Sequence, residues 1–154
     1  MIKNTAGSKC FIIFLRYIKL LVSNLLTLIS FFSLPSSYYY LSTLWKDDQG
    51  AATDLCSFYH LPSTVIGNPK HDKLYSAYSY YNVATTIPLQ DLMRDSLIFA
   101  RNLGSDVFNA LDVMDNGTIF SDLKFGMGDG NLQYYLYNWR CPSILPEEIG
   151  LVLL

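Results

Sequence analysis

The sequence has few charged residues. Asp, Glu, Lys and Arg make up 16% of its 154 residues, against about 25% in an average globular domain. Hydrophobic residues make up 51%. Intrinsically disordered chains and nucleic-acid-binding tails have the opposite balance, so this composition disfavours both and gives no reason to expect a nucleic-acid partner. The length suits a single domain.

Cysteine is also scarce, and its spacing excludes two kinds of site. Cys10, Cys56 and Cys141 are odd in number and far apart. Neither a metal-ligand spacing nor an even disulfide framework can be formed from them, so no metal site is expected. Reduced, structural thiols are the default interpretation, and they favour the cytosol.

Several catalytic motifs are missing. The segment Gly126-Met127-Gly128-Asp129-Gly130 lacks the G-x-G-x-x-G spacing of a dinucleotide site, and we predict a glycine-rich turn before a strand. Within it, Asp129 suits either recognition of a cationic group or an ordinary solvated turn. Residues 112–117 lack the ligand spacing of a calcium loop. Ser63 lies in no G-x-S-x-G elbow, so a hydrolase triad is unsupported.

No acidic residue occurs before Lys46, and residues 20–45 carry no charge at all. Four bases precede or interrupt an apolar run that is long enough to span a bilayer. One interpretation is an apolar leader helix, residues 1–45, that anchors the chain in a membrane through residues 11–45. The other is that this segment is translated non-coding sequence joined to a domain. No A-x-A-like site follows Leu34, which disfavours a cleaved signal peptide.

Residues 46–154 hold 7 bases and 13 acids and form the predicted domain. The apolar spacing after Pro88, closed by Gly104, predicts a helix. A second, shorter helix is predicted at 118–123. Strands are predicted at 106–111, 132–139 and 149–154. Residues 74–83 fit either a helix or a strand, and their tyrosines favour a strand. The expected fold class is therefore α/β or α+β, with a mixed sheet flanked by helices.

The chain ends on Leu151-Val152-Leu153-Leu154, which is unusually apolar for a terminus. A buried α-carboxylate at Leu154 is a candidate general base, provided that burial raises its pKa from the ordinary value of about 3.3–3.7. Filling of an apolar edge is the simpler interpretation. Asn116-Gly117-Thr118 matches a glycosylation acceptor, which matters only if the domain is lumenal.

Seven segments of residues 53–154 follow one another in an order that is typical of one protein family: Thr53-Asp54-Leu55-Cys56-Ser57-Phe58-Tyr59, Leu61-Pro62-Ser63-Thr64, Ala77-Tyr78-Ser79-Tyr80-Tyr81-Asn82-Val83, Asp106-Val107-Phe108-Asn109-Ala110-Leu111-Asp112, Lys124-Phe125-Gly126-x-Gly128-Asp129-Gly130, Tyr134-Tyr135-Leu136-Tyr137-Asn138 and Gly150-Leu151-Val152-Leu153-Leu154. Together they resemble the C-terminal part of the glycylpeptide N-tetradecanoyltransferase, or N-myristoyltransferase, family.

The resemblance implies part of a GNAT-like acyltransferase fold, in which another half binds the co-substrate myristoyl-CoA. It implies transfer of myristate to the N-terminal glycine amine of proteins, with the Leu154 carboxylate as the base and no bound cofactor. It also implies contacts with substrate peptides at six positions: Ser63, Tyr78, Asn109, Asp129, Gly130 and Leu132. Of these, Asp129 is implied to bind a positive group on the peptide.

Because the acyl-CoA half is missing from the resemblance, we expect these residues alone to lack appreciable activity. The expected location is the cytoplasm, with a membrane as partner only if the leader is a genuine anchor. Two other functions stay open. One is a catalytically dead remnant that binds peptides or a partner half, and the other is a small membrane-anchored protein whose domain has been repurposed.

Overall fold

The computed structural model describes residues 6–14, 28–33, 39–138 and 140–152, and describes side chains from Asp47 onward within these ranges. The chain divides into two compact units. One is Ile13–Asn109, and the other joins Met1–Ile12 to Ala110–Leu154.

The described ranges form nine strands, one α-helix and two short 3-10 helices. The strands and the α-helix are β1 Ala6–Phe14, β2 Leu28–Ser33, β3 Tyr39–Lys46, β4 Ala52–His60, β5 Ser63–Thr64, β6 Lys73–Leu74, β7 Ser76–Val83, α1 Leu89–Asn102, β8 Val107–Leu111 and β9 Gly126–Tyr134. The 3-10 helices are Met114–Thr118 and Pro146–Glu148. Within the same ranges, no helix is both long and apolar enough to cross a membrane.

The unit Ile13–Asn109 is built on a mixed sheet, as the sequence predicts. Strands β2, β3, β4 and β7 pair antiparallel in that order, and β7 pairs parallel with β8. A parallel pair requires a crossover connection, and α1 supplies it while packing against β4 and β7. The buried hydrophobic side chains of this unit are Cys56, Phe58, Tyr59, Ala77, Leu92, Met93, Leu97, Ala100, Val107 and Phe108.

Helix α1 confirms the clearest sequence prediction. Pro88 precedes its first residue in an extended conformation, and the buried face repeats at helical spacing through Leu92, Met93, Ser96, Leu97 and Ala100. Gly104 follows the helix with φ +87°, a left-handed conformation that favours glycine. The amide of Gly104 donates to the carbonyl of Arg101 at 2.9 Å, which ends the helix.

The loop that leads into α1 is held by a buried carboxylate on β4. Asp54 is 1% exposed. Its Oδ1 accepts hydrogen bonds from the amides of Thr85 at 2.6 Å, Thr86 at 2.9 Å and Ile87 at 3.4 Å, and its Oδ2 accepts from the Thr86 hydroxyl. Burial by itself raises the pKa of Asp54, but the hydrogen bonds from Thr86 and Thr85 outweigh it and hold that pKa well below its usual range.

The second unit contains an antiparallel pair and a hydrophobic cluster. Strand β1 pairs with β9, from Ala6 opposite Tyr134 to Ile12 opposite Gly126. The rings of Phe120 and Phe125 lie 5.0 Å apart across a turn. The unit's other buried hydrophobic side chains are Ala110, Val113, Ile119, Ile149 and Val152.

The predicted leader helix is wrong for the residues that the structure describes. Ala6–Phe14, Leu28–Ser33 and Tyr39–Lys46 are strands, each with a hydrogen-bonded neighbour. Residues 15–27 and 34–38 lie outside the described ranges. An apolar run without helical periodicity is compatible with either a buried strand or a helix. Here, hydrogen bonding to neighbouring strands determines that the described residues form strands.

Four predictions in the C-terminal third are also wrong, one of them only in part, since residues 132–134 are in a strand. Residues 118–123 are not a helix, because the 3-10 helix ends at Thr118 and turns follow. The glycine-rich segment is itself strand β9, which ends at Tyr134 and does not continue through 135–138. Residues 149–152 form no strand. Strand propensity favours apolar and aromatic residues, so the sequence predicts strands there. In the structure, the glycine-rich residues 126–130 also form part of a paired strand.

We expect Asp54→Ala to lower the free energy of unfolding by about 2–4 kcal/mol, since three amides and a hydroxyl lose a charged acceptor. Urea denaturation of the 154-residue chain measures this. The matched control is Asp47→Ala, which removes two hydrogen bonds donated by backbone amides in an exposed turn. This variant should lower the free energy of unfolding by less than about 1 kcal/mol. Equal losses in the two variants would contradict the assignment of Asp54 as a structural anchor.

The depressed pKa of Asp54 also predicts acid sensitivity. A carboxylate with a lowered folded pKa stabilises the fold above its ordinary value of 3.8, and this contribution disappears as the pH falls towards the folded pKa. The chain should therefore lose stability below that value, and Asp54→Asn should lose less over the same range. Denaturation midpoints measured at several acidic pH values test the difference.

Candidate functional site

The structure brings two predicted peptide contacts together, Tyr78 on β7 and Asn109 on β8. They are direct partners in the parallel register of these strands. Side chains at paired positions share one face of a sheet, so both can face the same ligand. Asn109 is buried, with Nδ2 donating to the Ala77 carbonyl at 3.4 Å, while Tyr78 is half-buried. Asn109 is thus held by the backbone, and Tyr78 is the more accessible of the two.

The ring of Tyr78 is oriented by an aromatic neighbour that the sequence analysis did not identify. Tyr59 on β4 is the register partner of Tyr78 on β7. Their rings stack with centroids 5.3 Å apart and planes 14° from parallel. Tyr80 contacts Tyr59 edge-on at 6.3 Å. Stacking restricts rotation of the Tyr78 ring, so Tyr59 holds the plane of that ring.

Ser63 occupies a different element of the same unit. It lies on the two-residue strand β5, where it pairs with Leu74 of β6. Its side chain is exposed. The amide of Leu61, just before this strand, donates to the carbonyl of Ser76 at 2.9 Å and ties the start of the small hairpin to the strand that carries Tyr78.

Asp129, Gly130 and Leu132 lie on β9 in the second unit, and the first two occupy an irregularity of the strand. Lys9 pairs with Asn131 and Phe11 with Met127, so β9 advances four residues while β1 advances two. Residues 128–130 therefore form a bulge with Asp129 at its centre. Bulges redirect side chains, and Gly128 and Gly130 on either side of Asp129 carry no Cβ atom themselves. Asp129 and Gly130 are exposed, and Leu132 is 38% exposed.

The predicted base, the carboxylate of Leu154, lies outside the described residues, but the segment that precedes it is well defined. The Glu148 carboxylate accepts from the Leu145 amide at 2.7 Å and closes the turn Pro146–Glu148. Ile149 and Val152 are each 6% exposed, while Leu151 between them is 53% exposed. The Tyr134 hydroxyl donates to the Leu151 carbonyl at 2.9 Å.

Two other titratable groups have shifted pKa values. Burial lowers the pKa of His60, whose Nδ1 lies 3.2 Å from the Ser105 hydroxyl. Burial raises the pKa of Asp95 on α1, and the neighbouring Asp91 carboxylate adds to this effect while Arg94 opposes it. Neither residue is one of the predicted site residues, and their burial and charged neighbours account for both pKa shifts.

The glycosylation pattern at Asn116 has a structural role. Asn116 is 3% exposed, and its Nδ2 donates to the Leu111 carbonyl at 3.0 Å. A glycan would need this same nitrogen, so the folded domain does not present an acceptor. In the described part of the chain, no group of three or more His, Cys, Asp or Glu side chains could hold a metal ion.

Comparison with known proteins gives a family match over most of the chain. The sequence pattern of "Myristoyl-CoA:protein N-myristoyltransferase, C-terminal domain" matches residues 38–152. The match begins within the predicted leader, eight residues before Lys46.

Curated relatives are similar over a comparable length. The glycylpeptide N-tetradecanoyltransferase of Drosophila melanogaster is 60% identical over 108 residues, which are 70% of this chain and 23% of the relative. The glycylpeptide N-tetradecanoyltransferase 2 of Danio rerio is 62% identical over 104 residues, 68% of this chain and 21% of the relative. The chain therefore spans about a quarter of the length of the curated relatives it matches.

A solved structure supports the fold. The Saccharomyces cerevisiae N-myristoyltransferase with bound myristoyl-CoA superimposes with a TM-score of 0.67 at 34% identity, covering 75% of this chain and 32% of that one. This similarity confirms the predicted mixed sheet with helical packing.

The stacked pair predicts an energetic coupling between Tyr59 and Tyr78. In a double-mutant cycle with Tyr59→Leu and Tyr78→Leu, we expect a coupling of about 0.5–1.5 kcal/mol in the free energy of unfolding. The control cycle combines Tyr59→Leu with Tyr75→Leu, because the Tyr75 side chain is 47% exposed, and its coupling should be near zero. Additive losses at Tyr59 and Tyr78 would show that the ring contact does not orient Tyr78.

Proposed function

Because the chain belongs to the myristoyl-CoA:protein N-myristoyltransferase family, we propose that it supplies a peptide-binding surface and the catalytic base of an enzyme that transfers myristate from myristoyl-CoA to the N-terminal glycine of proteins. The match of the family's C-terminal domain to residues 38–152 carries this proposal. The names of the relatives state transfer of a tetradecanoyl group to a glycylpeptide, which supports the proposal.

The proposed reaction is an acyl transfer between a thioester and an amine. The Leu154 carboxylate takes a proton from the glycine ammonium, and the freed amine attacks the myristoyl carbonyl. A C–N bond forms and the C–S bond breaks. The nitrogen gives up its second proton as it becomes an amide, and that proton passes to the departing sulfur, so CoA leaves as the thiol. Myristoyl-CoA is the co-substrate, and the chain's own residues bind and orient the peptide and move the proton.

The proton transfer sets a requirement on the surroundings of Leu154. An α-amino group has a pKa of about 7.7–8.0 and an α-carboxyl group about 3.3–3.7, so transfer between unperturbed groups is uphill by roughly 6 kcal/mol. Apolar surroundings reduce this gap, because they raise the pKa of the carboxyl and lower that of the ammonium. The buried side chains of Ile149 and Val152, close to Leu154 in sequence, are consistent with such surroundings.

The exposed carboxylate of Asp129 suits a positive group on the peptide. Its position in a glycine-flanked bulge of β9 lets a peptide backbone approach without a Cβ clash, and charge-assisted hydrogen bonds are roughly twice as strong as neutral ones. Tyr78 and Asn109 are proposed as contacts in the other unit, with Ser63 nearby in sequence on β5. Substrates are proteins with an N-terminal glycine, and the proposed location is the cytoplasm.

A second candidate function is binding without turnover. The exposed Asp129 and the half-buried Tyr78 would equally suit a protein that binds N-terminal glycine peptides, or another part of an enzyme, without transferring an acyl group. Peptide binding with no transfer, even when an acyl-CoA-binding part is present, would favour this function over the first.

We expect the 154-residue chain alone to show no appreciable transfer of myristate to a glycine peptide, since oxyanion donors on the acyl-CoA side each contribute about 10²–10³ in rate. A chimera in which residues 46–154 replace the matching segment of the Drosophila relative should transfer it. Myristoyl-CoA binding by the chimera is the control for folding. A chimera that binds myristoyl-CoA but transfers nothing would refute the proposed function.

Extending the chimera beyond Leu154 should abolish most of its activity. A short Gly-Ser extension converts the α-carboxylate into an amide and moves the free terminus away, so kcat should fall by at least about 10²-fold, in the range of a lost general base. The same extension at the N-terminus is the control and should leave kcat unchanged. Unchanged turnover in the C-terminally extended chimera would remove Leu154 from the mechanism.

A further inference from the structure

The parallel pairing that brings Tyr78 and Asn109 together is short. The register of β7 and β8 consists of three residue pairs, and Tyr78 with Asn109 is the last of them. Parallel pairs are slightly less stable per residue than antiparallel ones, so a ladder of this length holds its strands weakly in register. Contacts at the start of β8 therefore bear directly on where Asn109 lies.

Ser105, two residues before β8, connects three elements of this unit. Its amide donates to the carbonyl of Ala100, near the end of α1, at 3.0 Å. Its hydroxyl lies 3.2 Å from Nδ1 of His60, the last residue of β4. Ser105 is 6% exposed, so water competes little for the hydroxyl. One small side chain thus links α1 and β4 to the entrance of β8.

The ring of His60 is held by aromatic packing. It meets the Phe58 ring edge-on with centroids 5.6 Å apart, and Phe58 meets Phe108 of β8 edge-on at 5.7 Å. Phe58 and Phe108 are both buried. A ring packed closely against such neighbours has little freedom to turn, so its Nδ1 offers the Ser105 hydroxyl a fixed partner.

The contact between His60 and Ser105 reaches across β7. In the antiparallel register, His60 on β4 is opposite Ala77 on β7, and in the parallel register Ala77 is opposite Phe108 on β8. Strand β7 therefore lies between the strand that carries His60 and the strand that follows Ser105. A hydrogen bond between the two outer elements keeps β8 against β7, one residue pair away from Tyr78 and Asn109.

His60 acts from the far side of the sheet. Successive residues of a strand face opposite sides. The Tyr59 ring stacks on Tyr78, whereas the His60 ring packs on Phe58. A peptide bound on the Tyr78 face would therefore not touch the His60 ring, and any effect of this ring on the peptide passes through the strands.

We propose that the hydrogen bond between His60 and Ser105 positions Asn109 beside Tyr78 for binding of the glycine peptide. His60 and Ser105 are positioning residues, because they act on the two peptide contacts through the strands that carry them. The inference rests on the proposed function, in which Tyr78 and Asn109 contact the peptide. It extends that function by assigning two residues outside the predicted site to substrate affinity.

Amide hydrogen exchange in the 154-residue chain tests the structural part. Ser105→Ala removes the hydroxyl alone, so the amides of residues 107–109 should exchange about 5-fold faster as local opening becomes easier. Ser143→Ala is the matched control, since Ser143 is exposed and lies in the other unit, and it should leave these rates unchanged. Unchanged exchange in the Ser105→Ala chain would overturn the proposal, whatever the chain's activity.

A double-mutant cycle assigns the effect to the contact between the two side chains. His60→Phe keeps a ring beside Phe58 but has no Nδ1. Because the hydrogen bond needs both partners, adding Ser105→Ala to His60→Phe should change the exchange rates of residues 107–109 by less than about 2-fold. An acceleration by Ser105→Ala that is equally large with and without His60 would show that the hydroxyl acts independently, and would overturn the proposal.

Turnover then tests the consequence for the substrate. In the chimera with the Drosophila relative, Ser105→Ala should raise the KM for a glycine peptide about 3- to 10-fold and leave kcat within about 2-fold, as expected when binding rather than chemistry is weakened. Faster exchange at residues 107–109 with an unchanged KM would overturn the positioning role and leave the proposed function intact. An unsubstituted chimera that binds myristoyl-CoA without turnover would refute the proposed function, and the positioning role with it.

Discussion

The buried carboxylate of Asp54 is the interaction on which the first unit depends. Burying a charge is unfavourable unless its hydrogen bonds are satisfied, and three consecutive amides and a hydroxyl satisfy this one. The bonds fix the loop between β7 and α1 onto β4, so they determine where α1 begins. Because α1 connects β7 to β8, the parallel pairing that places Tyr78 beside Asn109 follows from the same constraint.

The sequence was sufficient where the signals are local. The apolar spacing of α1, with Pro88 before it and Gly104 after it, is independent of the rest of the chain, and the tyrosine-rich β7 and the strand β8 have strong strand propensity. The segment from Gly126 to Gly130 has no strand propensity of its own. It becomes a strand only because β1 pairs with it, and pairing between segments more than a hundred residues apart leaves no trace in either one alone.

In the candidate site, too, some features are predicted from the sequence and others depend on tertiary contacts. Its residues were predicted from the family resemblance, and the structure adds how they are held. The sequence does not predict the roles of Tyr59 and Tyr134, because the residues around a tyrosine carry no sign of which distant neighbour it will contact. Tyr59 is identified by its ring stack on Tyr78, and Tyr134 by a single bond to the Leu151 carbonyl. Both are properties of tertiary geometry.

The proposed mechanism uses a terminal carboxylate as the base, and this choice would account for the apolar sequence that precedes it. Ordering a chain end costs about 1–2 kcal/mol of backbone entropy per residue, and a free terminus normally remains unordered. Burial of Ile149 and Val152 contributes about 1.5–3 kcal/mol for each side chain and offsets that cost. The same apolar residues would raise the pKa of a carboxyl group held among them. On the proposed mechanism, one feature of the sequence therefore meets two requirements, since an apolar C-terminal segment both holds the chain that leads to the base and would raise the proton affinity of a carboxylate among apolar side chains.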